Sequence, residues 1–167
     1  MEITSIRPFL DYWESVRGRT RRVVSSIPSD RMDWTYKEGK FTFGDLIRHL
    51  ATIERFMYAE TVRGNPSSYP GYSKSLQHSG ESPLDMMDRL HAESVEIFGT
   101  LTDEDLVRKC TTPAGTSITV WKWLRAMVEH EAHHRGQIFM MLSMIGVTAP
   151  PLYGLTEEEV RAKSVVN

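Results

Sequence analysis

The chain has a single cysteine, Cys110, among 167 residues. No disulfide can form within it, a closed zinc site built on thiolates lacks its ligands, and the scarcity fits a reducing compartment. There is no apolar run of 18 residues, the length a membrane-crossing helix needs. The first ten residues are polar and contain Pro8, so no signal peptide is expected and the expected location is cytoplasmic. There is no long basic run either: 20 Lys and Arg stand against 22 Asp and Glu, for a net charge of −2. That balance gives nothing for nucleic acid or an anionic membrane surface to recognise. Arg17, Arg19, Arg21 and Arg22 cluster, and they read as the solvated outer face of a helix. No repeat, low-complexity tract or domain linker interrupts the chain, which reads as one domain over residues 1–167.

What is present is helical periodicity. Phe9, Leu10, Trp13, Val16, Val23 and Val24 mark a first helix, from a candidate cap at Ser5 to about Ser26. Met32, Trp34 and Tyr36 then alternate like a short extended piece. Thr42-Phe43-Gly44-Asp45 resembles a capping box, and Leu46, His49, Ile53 and Phe56 follow on one face up to Gly64. Ser82-Pro83-Leu84-Asp85 opens a third helix that runs to about Gly99, with His91 off to the side of its inner face and so expected to be exposed. A short helical turn follows Thr102, and residues 107–118 read as a loop or small hairpin. The last long helix runs from about Val120 to Ile145. It is apolar nearly all round, which suits a central position or a second face buried in a homodimer. Thr156-Glu157-Glu158-Glu159 begins a short terminal helix.

Four long helices without a convincing strand set predict an all-α four-helix bundle with short extra helices. Residues 65–81 form a long connection. Extended, 17 residues span roughly 55 Å, against about 30 Å for a 20-residue helix. The second and third helices can therefore run parallel.

Three histidines carry the chemistry. His130 and His134 are four apart, which places their rings one above the other on a helix, in the apolar stripe of Met127, Ile138 and Met141. His49 interrupts the stripe of the second helix in the same way. Imidazoles among Met and Ile need partners, and a shared metal ion would be one. Three neutral ligands would leave coordination positions open for water or substrate, as catalytic sites do. His133 stands about 60° round the helix from His130 and reads as surface or second sphere; His78 lies in the long loop and reads as exposed. His130-Glu131-x-x-His134 also matches the pattern of zinc peptidases, in which the Glu is the general base. The Gly and His of the longer metzincin form are missing, however, since Gln137 and Met140 stand in those places. Tyr12, Trp13, Tyr58 and Arg135 are candidates to line a pocket beside the ion.

Three stretches carry a resemblance: Thr42–Leu50, His130-Glu131-Ala132-His133-His134-Arg135-Gly136-Gln137-Ile138, and Pro151–Glu159. Together they resemble the DinB/YfiT-like superfamily of metal-binding helical bundles, over essentially the whole chain. The resemblance implies an up-down-down-up bundle and a divalent ion, zinc or nickel, on His49, His130 and His134. It implies a homodimer. It also implies, as one activity among relatives, transfer of a low-molecular-weight thiol to a small electrophile. A non-catalytic stress-related protein that binds metal or a small ligand is the alternative, and a zinc hydrolase or peptidase a third reading.

Overall fold

The computed structural model describes residues 2–164. In chain order the elements are α1 (Ile6–Val24), α2 (Phe43–Ile53), α3 (Ala59–Val62), α4 (Pro83–Phe98), α5 (Asp103–Val107), β1 (Lys109–Thr111), β2 (Ser117–Thr119), α6 (Val120–Met144) and α7 (Glu157–Lys163). A five-residue π-helical turn, Glu54–Tyr58, joins α2 to α3 into one long segment. The strands form an antiparallel hairpin in which Lys109 faces Thr119 and Thr111 faces Ser117.

Helix directions follow from the two halves of the core. One half holds Val23 and Val24 of α1, Phe43 to Ala51 of α2, Met86 to Leu90 of α4, and Ile138 to Leu142 of α6. The other holds Phe9 to Val16, Tyr58 to Val62, Phe98, and Val120 to Met127. The α2–α3 segment and α4 therefore run from the first half to the second, and α1 and α6 run the opposite way. This is the up-down-down-up four-helix bundle that the resemblance implies and that the long 65–81 connection permits.

Local chemistry fixes the ends. Thr42 and Ser82 each accept a backbone bond three residues on, from Asp45 and Asp85, whose carboxylates reach back to the cap amides. Ser5 makes no such bond; Asp103 of α5 accepts from the Ile6 amide instead, at 2.8 Å. Met32 and Trp34 are not part of a strand. Their carbonyls accept from the Gly44 and Phe43 amides, at 2.8 and 3.2 Å, and so satisfy donors that the start of α2 leaves free.

The long connection is pinned to α2 by Arg48, only 1% exposed. Its Nε donates to the Tyr72 carbonyl (2.8 Å), Nη1 to Gln77 Oε1 (3.1 Å) and Nη2 to Asp45 Oδ1 (2.7 Å). Gly44 leaves room for this guanidinium, since a Cβ there would sit 3.0 Å from Arg48 Nη1 and 3.2 Å from the Met32 carbonyl. The anchored loop carries Tyr69 and Tyr72 to His49 of α2.

Candidate metal centre

α2 and α6 pack so that His49 lies opposite His130 and His134. The Nε2 atoms converge: His130 Nε2 is 3.2 Å from that of His49 and 3.1 Å from that of His134. One ligand nitrogen from each ring lies within 4.8 Å of the others, and among the described residues no thiol or carboxylate joins the group. Two nitrogens held roughly 2.0–2.1 Å from one ion at tetrahedral angles stand about 3.3 Å apart. The observed spacing fits that demand.

The outer ring nitrogens are committed elsewhere. His134 Nδ1 donates to Gln137 Oε1 at 2.7 Å, which leaves Nε2 as the bare nitrogen facing its neighbours. His49 Nδ1 lies 2.7 Å from the Tyr69 hydroxyl. Such outer contacts orient a ligating imidazole and fix its tautomer. Gln137 Nε2 in turn lies 3.2 Å from Nε2 of the exposed His133, so His133 reaches the set only through Gln137. Phe41 packs against His49 with ring centroids 5.5 Å apart, and lies edge-on to His134 at 6.2 Å.

Electrostatics keep the three rings neutral. Burial, and then the neighbouring His134, pull His49 down to about 4. Burial and the other histidines pull His130 down to about 3, and burial lowers His134 as well. Neutral imidazole is the form that ligates a metal.

Other sequence expectations are corrected. Glu131 is not a base beside the histidines. It is 2% exposed and points into the bundle, with Oε2 3.4 Å from Arg17 Nη1. Arg17 is no surface residue; at 3% exposed it is paired with Glu54. His91 is buried rather than exposed: its Nδ1 lies 2.8 Å from Glu54 Oε1, which also accepts from Trp13 Nε1 at 3.0 Å. Trp13 and Arg135 thus belong to this interior polar cluster, Arg135 through its 3.3 Å bond to Thr20, and Tyr12 faces solvent. Of the four proposed pocket residues only Tyr58 approaches the histidines, 6.2 Å from His130 between ring centroids.

All four bundle segments feed the polar cluster, and the π-helical turn supplies Glu54. Burial opposes ionisation of Glu54, but Arg17, His91 and Trp13 outweigh it and hold its carboxyl below the usual range. Burial wins at Glu131, whose carboxyl is pushed up despite Arg17. Neither Glu54 nor Tyr69 announces itself in the sequence. The one legible cue was Gln137, three residues beyond His134 and hence on the same helix face.

The comparisons agree with this fold. The chain is 26% identical over 147 residues to the uncharacterized protein YjoA of Bacillus subtilis, covering 86% of this chain and 93% of YjoA. The crystal structure of that DinB-like protein matches with a TM-score of 0.71, covering 90% of this chain and all of the other. YfiT of Bacillus subtilis, described as a probable metal-dependent hydrolase with an unusual four-helix bundle topology, matches with a TM-score of 0.63 at 21% identity, over 86% of this chain and 89% of YfiT. The DinB superfamily model matches residues 12–138, and the chain belongs to that superfamily.

Proposed function

We propose that His49, His130 and His134 hold one divalent ion, zinc or nickel, and that the protein uses it to transfer a small thiol to an electrophilic small molecule. The observation that carries this is the convergence of three neutral imidazole nitrogens with no carboxylate or thiol among the described residues to close the set. An ion held there supplies Lewis acidity and lowers the pKa of a thiol or water that joins it. The chain's own residues do the rest. Gln137 and Tyr69 hold the rings of His134 and His49 in ligating orientation. Phe41 covers the same two rings and keeps water from that side.

The carboxylate situation favours a thiol over water. Hydrolysis of a stable amide or ester gains from a general base at the reacting water. The carboxylate of the His-Glu-x-x-His pattern, Glu131, is turned away toward Arg17. A thiol whose pKa falls on coordination needs no such base. Transfer forms a carbon–sulfur bond and releases the acceptor's leaving group, or adds the thiol and its proton across an activated double bond.

Hydrolysis is the second reading, because YfiT is described as a probable metal-dependent hydrolase. The test is a panel of low-molecular-weight thiols with a general electrophile, run on metal-free, zinc and nickel protein, with product masses recorded. A metal-dependent rate giving the thiol adduct, lost in His130→Ala, is the expected result. A mass gain of one water without adduct selects hydrolysis. No metal-dependent product of either kind overturns both and leaves a binding protein.

A further inference from the structure

A cavity of about 340 Å³ lies between α2, α6 and the loop that carries Tyr36 to Phe41, on the far side of Phe41 and Gln137 from His49 and His134. Leu46, three residues before His49, and Met141, seven after His134, are buried and form its base. At roughly 1.5 Å of rise per residue these positions lie about one to two helical turns from the ligand histidines. Phe41 and Gln137 line it too, and both touch the histidines directly. The cavity is thus one side chain away from the converging nitrogens.

Its chemistry is specific. Met140, Met144 and Tyr36 stand at the rim with more than half of their surface exposed, an arrangement that leaves flexible apolar groups facing water. Lys40 is the one charged residue in the lining, and it is positive. The volume lies at the lower end of the range for small-molecule sites, which are mostly apolar with a few placed polar groups.

We propose that this cavity binds the second substrate of the metal centre, an apolar small molecule carrying one anionic group that pairs with Lys40. The proposal rests on the metal-dependent reading of the histidine set. The apolar part occupies the methionine-lined groove, its anion faces the Lys40 ammonium at the mouth, and its far end abuts Phe41 and Gln137. A second copy of the chain is the other occupant such a rim could accept.

The test uses two fluorescent probes that differ by one charge. 8-Anilinonaphthalene-1-sulfonate is apolar and anionic; N-phenyl-1-naphthylamine lacks the sulfonate. Both are titrated into the full chain, metal-free and metal-loaded, for the native protein, Lys40→Glu and Met144→Glu. Both substituted residues are exposed, so the fold is not burdened. The sulfonate should bind one per chain, and Lys40→Glu should weaken it about tenfold, since attraction becomes repulsion, with the neutral probe scarcely affected. Met144→Glu should weaken both, and bound sulfonate should slow peroxide oxidation of Met140 and Met144 as read by mass spectrometry. Sulfonate binding unchanged in both variants, or methionines left unprotected, overturns the proposal whether or not the metal centre is active. Probe binding that behaves as expected without any metal-dependent turnover keeps the cavity as a ligand site and overturns the activity instead. Light scattering that shows a dimer separated by Met144→Glu assigns the rim to a second copy, and the proposal falls.

Discussion

Zinc should raise the thermal stability of this protein by an amount that the three histidines set together. The fold sets His130 Nε2 3.2 Å from that of His49 and 3.1 Å from that of His134, whose Nδ1 bond to Gln137 leaves Nε2 free to ligate. Only the folded chain holds the three nitrogens together, so the ion stabilises by mass action. At a free concentration about 100 times Kd the gain is about 2.7 kcal/mol. For a domain of 150–250 residues, 1 kcal/mol moves the midpoint by about 2–4 °C, so the expected rise is about 5–11 °C. Differential scanning calorimetry with and without zinc measures it, beside calorimetric titration for Kd and stoichiometry. His49→Ala, His130→Ala and His134→Ala should each abolish most of the rise, since two imidazoles and water hold the ion far more weakly. Each variant should stay folded when metal-free, so that loss of the zinc-induced rise reads loss of the ion rather than of the bundle. An equal zinc-induced rise in the triple alanine variant would refute the reasoning. So would a stoichiometry other than one ion per chain.

Gln137→Leu should weaken zinc binding about 10- to 100-fold by calorimetric titration, the range found when an outer contact of a ligating histidine is lost, while leaving the fold intact. Arg17→Met leaves Glu54 buried beside a neutral side chain and should cost about 3–5 kcal/mol in urea denaturation, and a loss below about 1 kcal/mol would show the pair to be dispensable. His91 gives a pH dependence: burial pulls its pKa down, but Glu54 outweighs burial and raises it above 6.5. The folded state therefore holds a proton that the unfolded chain releases. That stabilisation is complete below about pH 6.5 and fades as pH rises through the folded value, and His91→Gln should remove this part of the stability profile.

The bundle and the faces that carry the three histidines were legible in the sequence because both rest on local periodicity. Leu46, His49 and Ile53 share a helix face whatever packs against it, and so do His130, His134 and Ile138, because α-helical geometry repeats every 3.6 residues. Capping at Thr42 and Ser82 is likewise a matter of three-residue spacing, and the length of the 65–81 connection left room for α2 and α4 to run parallel. Tertiary structure decided what depends on which elements meet. Arg17 and His91 read as surface residues because a charged or polar side chain is normally solvated; only contact with Glu54 makes their burial tolerable, and Glu54 reaches the interior through a π-helical turn that no residue pattern marked. Glu131 matched a peptidase motif by spacing, yet the partner that claims it, Arg17, lies 114 positions away in the chain. Tyr69 and Phe41 come to the histidines from loops held by Arg48 and by the start of α2. Their contacts are bonds between distant segments, for which the sequence carries no period.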